Sequence, residues 1–235
     1  MKKYLVSILA VALLLASCKA GNLADKAATG SPSGGTSKAD VSYAFGIAIG
    51  KSLASTGVDI DNDAFMSGVK DVLAKKTTRI KEADAQTIIQ TAITDAQTKL
   101  AADNKAKGSE FLAANAKKDG VKTTASGLQY QVIKEGSGPK PKATDTVKVD
   151  YVGTLLDGTV FDSSIERKEP AVFQVGQVIP GWAEAVQMMT VGSKYKVWIP
   201  SELAYGEQGA GGKIPPNSTL SFDIDLLSIE PAAKK

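Results

Sequence analysis

Histidine is absent from the 235-residue sequence, and cysteine occurs once, at Cys18. Without an imidazole, the chain cannot contain a Ser-His-Asp or Cys-His catalytic system or a His-Glu-x-x-His zinc site. A single cysteine also excludes a disulfide within the chain and zinc sites built from several thiolates. We therefore expect a chemistry that needs no imidazole, no metal and no cofactor.

The sequence also has no large excess of positive or negative charge. The sequence has 28 Lys and Arg residues against 25 Asp and Glu residues, which gives a net charge of +3. Lys2 and Lys3 lie in a segment that we expect to be removed, so the remaining chain is nearly neutral. A nearly neutral chain has no long-range attraction for nucleic acid or for anionic lipid. Nucleic acid is therefore excluded as a partner.

Residues 1–17 have the pattern of an export signal. Two lysines precede an almost unbroken apolar run from Tyr4 to Ala16, which is too short to span a bilayer. The end of the run, Leu15-Ala16-Ser17-Cys18, resembles the lipobox of bacterial lipoproteins, which implies cleavage before Cys18 and lipidation of its thiol. The resemblance places the protein in the bacterial cell envelope, and Lys19 favours the outer membrane. We expect membrane contact through this lipid anchor only.

Three further segments follow the signal. Residues 18–39 are rich in Gly, Ser, Thr and Ala and read as a flexible tether. Residues 40–120 have a helical period and predict two short helices, the first ended by Gly57 and the second capped by Asp61 or Asp63. A third helix is predicted from about Lys81 to Gly120, with Gly108 as a weak point. These helices hide little apolar surface, so a homodimer through residues 40–120 is favoured, with a monomeric helical hairpin as the alternative.

Residues 121–235 have the period of two that is typical of strands. Val147, Val149 and Tyr151 point to one side of a predicted strand, and the segment from Leu156 to Thr159 is a hairpin turn signal. A short amphipathic helix from Gly181 to Met189 covers the apolar face. The sequence therefore predicts an α+β fold, with an N-terminal helical module, a long linking helix and a C-terminal antiparallel sheet wrapped on one short helix.

Aromatic side chains are unusually frequent at the inward positions of this sheet, and each lies in or beside a short motif. The motifs are Tyr151-Val152-Gly153, Gly158 to Ser164, Val178-Ile179-Pro180-Gly181-Trp182, Ile199-Pro200 with Ala204-Tyr205-Gly206, and Ile214-Pro215-Pro216-Asn217. In this order and spacing they resemble an FKBP-type peptidyl-prolyl cis-trans isomerase domain. The junction from Gly108 to Tyr130 is similar to that of the Mip-like and periplasmic group, which carries an N-terminal helical dimerisation module.

The resemblance implies an enzyme that isomerises X–Pro bonds of exported proteins as they fold. By position, Trp182 forms the floor under the proline ring, and the Tyr205 hydroxyl and the Ile179 N–H bond to substrate carbonyls. Asp162 is an electrostatic and orienting group near the reacting carbonyl, and Arg167 holds it in place. The residues expected to carry catalysis are Asp162, Ile179, Trp182, Tyr205 and Phe222. Those expected to bind substrate are Tyr151, Phe161, Arg167, Phe173, Val178 and Ile214.

The same resemblance implies the partners, which are proline-containing unfolded or nascent exported polypeptides, together with macrolide inhibitors of the family. Ala171 stands where small members of the family have an aromatic wall. The Gly206 to Gly212 loop lacks the His-Pro that is common in the family and leads into Lys213, where an apolar residue is usual. Two other functions remain open. One is a polypeptide-binding chaperone with incidental isomerase activity, and the other is a host-interaction or structural lipoprotein.

Overall fold

A computed structural model of the chain describes residues 37–230. The expected export signal, Cys18 and most of the tether lie outside the described residues. Within the described residues the chain divides into two units, with the boundary between Ile47 and Ala48 inside the first helix. In the first unit, the described residues belong to the start of that helix.

Three helices form the N-terminal half, as the helical period predicted. They are α1 (Lys38–Ala54), α2 (Asn62–Leu73) and α3 (Glu82–Asn115). The predicted cap of α2 is confirmed, because a carboxylate oxygen of Asp61 accepts hydrogen bonds from the N–H groups of Asp63 and Ala64. Gly57, predicted to end the first helix, follows α1 in a left-handed conformation with φ of 71°. The described helices therefore begin and end largely where local sequence signals placed them.

The long helix α3 has 34 residues and measures about 51 Å. It ends at Asn115 rather than near Gly120, and a turn with Gly120 at φ of 76° follows. The Asn115 side chain is buried and donates a hydrogen bond to Gln129 at 3.0 Å. Gly108, predicted as a weak point, is buried inside this helix. Among residues 37–230, no helix combines the length and the apolarity that crossing a bilayer requires.

Seven antiparallel strands make one sheet in the C-terminal half. They are β1 (Val121–Thr123), β2 (Gln129–Lys134), β3 (Thr146–Leu155), β4 (Val160–Ser163), β5 (Ala171–Gln174), β6 (Lys194–Ile199) and β7 (Leu220–Glu230). The order is β1-β2-β6-β7-β3-β4, and β5 pairs with the first half of β3. The short helices α4 (Ser164–Arg167) and α5 (Pro180–Met188) interrupt the strands. The α+β architecture predicted from the sequence is confirmed.

The core lies between the sheet and α5. Val147, Val149 and Tyr151 alternate with less buried residues along β3, as predicted, and the turn after β3 places Gly158 at φ of 89°. Trp198 on β6 points to the opposite face and yet is 6% exposed. The ring of Phe111, near the end of α3, covers it with centroids 6.5 Å apart. Helices therefore pack on both faces of this sheet, whereas the sequence predicted a single covering helix.

Candidate active site

A single tryptophan at the start of α5 organises the site. Pro180 occupies the first turn of α5, where its fixed φ suits a helix start and its missing N–H costs nothing. Ile179 is the residue before the helix, so helix hydrogen bonds do not use its N–H. Trp182 follows in that first turn and is 5% exposed. This local geometry directs the indole into the concave side of the sheet.

Three aromatic rings surround Trp182 edge-on. Its ring centroid lies 5.5 Å from that of Phe173, 5.8 Å from that of Tyr151 and 6.1 Å from that of Phe222. The interplanar angles are 72°, 80° and 81°, which is the arrangement that aromatic quadrupoles prefer. The indole face is thus left as a flat apolar floor, and its position is fixed from three sides.

Gly153 on β3 makes room for two of the walls. A Cβ at this position would lie 2.7 Å from the Phe161 ring and 2.8 Å from the Phe222 ring. Without a side chain there, these two rings meet edge to face, with centroids 5.5 Å apart and an interplanar angle of 86°. Gly153 was part of a motif in the sequence, and its contribution to the site is this space.

Ten side chains enclose a pocket of about 340 Å³, near the lower end of the usual range for small-molecule sites, about 300–1,000 Å³. They are Tyr151, Phe161, Asp162, Phe173, Gln177, Val178, Ile179, Trp182, Tyr205 and Phe222. Nine of these residues were named from the sequence. Gln177 was missed, because it is an exposed polar residue in a one-turn helix before α5 and no motif marks it.

One charged cluster lies at the edge of the apolar pocket. Asp162 on β4 accepts hydrogen bonds from the Tyr151 hydroxyl and from Arg167, the last residue of α4. The Arg167 guanidinium also donates to the Tyr151 oxygen at 3.1 Å and lies over the Tyr151 ring, 5.7 Å from its centroid. The short helix α4 therefore returns the arginine to the carboxylate five residues before it. Asp162 and Arg167 stay 43% and 47% exposed.

Partial burial pushes the pKa of Asp162 upward, but hydrogen bonds from Tyr151 and Arg167 outweigh burial and bring the pKa below its ordinary value. The pKa of Tyr151 is raised, first by burial and then by its hydrogen bond to Asp162. The carboxylate is therefore ionised and the phenol neutral at physiological pH. A fixed negative charge at this edge can orient a polar substrate group, whereas a carboxylate with a lowered pKa is a poor proton acceptor.

Two residues predicted to contact substrate lie apart from the apolar walls. Tyr205 stands at the rim, between two one-turn helices, and is 40% exposed rather than inward on the sheet. Ile214 is buried in the core and lines a neighbouring groove beside α3. Lys213 reaches back toward the pocket, where its ammonium donates to the Phe161 carbonyl at 3.4 Å. Tyr205 and Lys213, near the two ends of this loop, therefore both contact or line the pocket region, whereas residues 207–212 line the neighbouring groove.

Acidic side chains do not gather near the pocket. Within residues 37–230, no three His, Cys, Asp or Glu side chains lie together in a way that could hold a metal ion. Asp162 is the one carboxylate among the pocket residues, and its oxygens are engaged by Tyr151 and Arg167. The described arrangement can desolvate, shape and orient an apolar ring with an adjoining polar group.

Comparison with known proteins agrees with this geometry. The family described as FKBP-type peptidyl-prolyl cis-trans isomerase matches residues 138–227, and the domain amino-terminal to it matches residues 38–132. The FKBP-type peptidyl-prolyl cis-trans isomerase FkpA of Aeromonas hydrophila is 48% identical, over 97% of this chain and 95% of its own. The outer membrane protein MIP of Legionella longbeachae is 44% identical, over 88% of this chain and 92% of its own. The crystal structure of FkpA from Escherichia coli superposes with a TM-score of 0.66 at 41% identity, covering 82% of this chain and 96% of that one.

Proposed function

The chain belongs to the family of FKBP-type peptidyl-prolyl cis-trans isomerases, and from that membership we propose that the aromatic pocket is where an X–Pro bond rotates. The observation that carries the proposal is the indole floor of Trp182, framed edge-on by three aromatic rings and bordered by one immobilised carboxylate. A proline ring is compact, apolar and small enough for a pocket of about 340 Å³.

The chemical task needs no bond to be broken. Rotation of a peptide bond crosses a barrier of about 18–20 kcal/mol, because amide resonance is lost at the twisted state. Water stabilises the polar resonant ground state more than the twisted one, so moving the amide into an apolar pocket lowers the barrier. A reduction of about 4 kcal/mol accelerates rotation roughly a thousandfold. Burial of the pocket residues supports this mechanism.

Polar groups at the rim would fix the peptide's orientation. The Tyr205 hydroxyl and the Ile179 N–H border the pocket and can each donate to a substrate carbonyl. Asp162 would act through its charge on the carbonyl that precedes proline, and Arg167 and Tyr151 would hold that charge in place. Because the pKa of Asp162 is lowered, we assign it an orienting role and no proton transfer.

The test is X–Pro exchange in a short proline peptide, with Phe222→Ala and Asp162→Leu as separate variants. We expect the kcat/KM to fall at least about tenfold in each, since one removes a wall and the other the charge. Leu227→Ala, on the same strand but 41% exposed and outside the pocket, serves as the matched control for Phe222. Full activity in both pocket variants would remove the pocket from the mechanism.

We further propose that the helical half forms a homodimer. Large apolar side chains of these helices are exposed in the single chain. They include Tyr43 at 74%, Phe45 at 66%, Val72 at 64%, Leu73 at 79%, Ile88 at 52% and Ile89 at 58%. So much exposed apolar surface on one module is typical of a face that a second copy covers. Sedimentation of Val72→Glu/Leu73→Glu should give a monomer, whereas Lys70→Glu on the same helix should stay dimeric.

Lipid anchoring in the cell envelope, with exported polypeptides as substrates, completes the proposal. It rests on the export signal, on the lipobox that ends at Cys18, and on the description of one relative as an outer membrane protein. Labelled palmitate should be incorporated by the natural chain and not by Cys18→Ser, and the label should sediment with the outer membrane. Incorporation into Cys18→Ser would contradict the anchor. We also expect macrolides that bind the family to compete with peptide for the pocket.

The exposed apolar helices favour a second candidate function, the holding of unfolded polypeptides. If this activity is separate from catalysis, Phe222→Ala should suppress aggregation of an unfolded client as well as the natural protein does. Suppression that falls in parallel with isomerase activity would leave catalysis as the single function.

A further inference from the structure

The last four turns of α3 carry a stripe of residues that face the catalytic domain. These residues, which recur every three or four positions and are less exposed than their neighbours, are Ala101, Asn104, Gly108, Phe111, Leu112 and Asn115. Such spacing puts them on one face of the helix. We call this face the docking stripe.

The carboxyl-terminal part of the docking stripe packs on the sheet. Gln129 on β2 accepts from the Asn115 amide at 3.0 Å and donates to the Leu112 carbonyl at 2.8 Å. One turn earlier, Gly108 lies against Thr219, just before β7. A Cβ at Gly108 would come 2.4 Å from the Thr219 hydroxyl oxygen, so the helix backbone approaches the Thr219 side chain as closely as a glycine allows. Here the helix is part of the catalytic domain.

The amino-terminal part of the docking stripe holds a loop instead. The Asn104 side-chain amide donates to the Pro216 carbonyl at 2.9 Å. The Asn217 side-chain amide donates in the other direction, to the Ala101 carbonyl on α3, at 3.3 Å. Asn217 adopts a left-handed conformation with φ of 55°, which asparagine tolerates better than most residues. Two hydrogen bonds, one donated by a side-chain amide of the helix and one by a side-chain amide of the loop, therefore hold the segment 216–217 against α3.

A single backbone hydrogen bond connects this segment to the residue next to Tyr205, which lines the pocket. The backbone N–H of Asn217 donates to the Gly206 carbonyl at 2.8 Å, and Gly206 directly follows Tyr205. Further along the loop, Ala210 and Ile214 close it on itself by an isolated bridge. A groove of about 750 Å³ separates the rest of the loop, residues 207–212, from the helices. The loop is therefore restrained against α3 at Pro216 and Asn217, and open space lies beside its tip.

We propose that Asn104 and Asn217 are positioning residues, which set the place of the Tyr205 hydroxyl by tying the loop after it to α3. This inference rests on the role proposed above for that hydroxyl. A hydroxyl that orients a substrate carbonyl loses its effect when it can move by about 1 Å. The long helix then acts on catalysis indirectly, through two hydrogen bonds to the loop that touch no substrate.

The experiment combines each asparagine with Tyr205→Phe in a double-mutant cycle on the whole protein. Asn104→Asp keeps the shape of the side chain but cannot donate to Pro216, and Asn217→Gly keeps the left-handed backbone but removes the amide. Lys105→Ala, one residue along on the exposed face of α3, is the matched control. We expect kcat/KM for a short proline peptide to fall about fivefold in each asparagine variant and to stay unchanged in the control.

In the Tyr205→Phe background, the same two substitutions should lower kcat/KM by less than about twofold, because the group they position is gone. Amide hydrogen exchange across Gly206–Gln208 should be faster in Asn104→Asp and Asn217→Gly than in the control, with α3 still protected. An equal fall in both backgrounds, or full activity in both asparagine variants, would overturn the proposal. Full activity in Tyr205→Phe alone would show that the proposed role of the hydroxyl is wrong. Reduced activity in Tyr205→Phe with full activity in both asparagine variants would show that only the positioning role of the asparagines is wrong.

Discussion

Gly108→Ala is the substitution that best separates a docked α3 from a free-standing one. In the middle of an exposed helix, replacing glycine by alanine stabilises by about 0.5–1 kcal/mol, since the unfolded chain loses conformational freedom. Gly108 is buried, however, and its new Cβ would lie 2.4 Å from the Thr219 hydroxyl oxygen and 3.4 Å from the Thr219 Cβ. The helix preference and the packing at Thr219 therefore act in opposite directions.

The packing effect should win. Forcing a methyl group against a buried side chain such as that of Thr219 typically costs about 1–3 kcal/mol, because that side chain or the helix must shift. After subtracting the gain in helix preference, we expect the free energy of unfolding to fall by about 1 kcal/mol. In a Thr219→Ala background the overlapping oxygen is absent, and the remaining 3.4 Å contact to Cβ is close to ordinary packing. There, the same glycine substitution should stabilise by about 0.5–1 kcal/mol.

Urea unfolding followed by far-ultraviolet circular dichroism measures all four proteins of this cycle. The expected coupling energy between the two positions is about 2 kcal/mol, well above the scatter for independent sites of about 0.5 kcal/mol. Stabilisation by Gly108→Ala in both backgrounds would refute the docking of α3. Destabilisation of equal size in both would show that Thr219 is not the group the methyl meets.

The remaining predictions concern the site and the sheet. The pKa of Asp162 in the folded protein is below its ordinary value of about 4. The ionised carboxylate therefore stabilises the fold fully above about pH 4, and this stabilisation is lost as the pH falls through the folded pKa. With no histidine to titrate, kcat/KM should be level from about pH 5 to 8, and Arg167→Ala should shift its acid limb to higher pH. Gly153→Ala should lower kcat/KM at least about tenfold, as its methyl displaces two pocket rings, and a normal rate would contradict the packing described. Lys196→Ala, which removes a 3.1 Å pair with Asp223 on the outer face of the sheet, should change the free energy of unfolding by less than about 1 kcal/mol in urea titration.

Local signals in the sequence predicted the elements whose causes are themselves local. Asp61 caps α2 through N–H groups two and three residues away, and Gly158 turns the chain within a hairpin. The alternation along β3 identified Val147 and Val149 as core residues for the same reason. The composition of the pocket came from the motif resemblance, since most of its residues stand within the five motifs.

Features that depend on distant partners escaped prediction. The buried hydrogen bond of the Asn115 side chain depends on Gln129, and the burial of Trp198 depends on Phe111. Gly108 looked like a defect in a helix, because its reason, the approach of Thr219, lies 111 residues further along the chain. A period of 3.6 residues shows that a helix has a face and leaves open what covers that face.

The two tryptophans of the sequence lie at different sites. Trp182 lines the pocket, and Trp198 lies under Phe111, where α3 packs on the sheet. The protein therefore carries two intrinsic fluorescent probes, one in the pocket and one where α3 packs on the sheet. In Trp198→Phe, the emission that remains would report occupancy of the pocket. In Trp182→Phe, it would report whether α3 sits on the sheet. A pocket ligand that changed the emission of Trp198 as well as that of Trp182 would show that the pocket and the packing of the long helix are coupled.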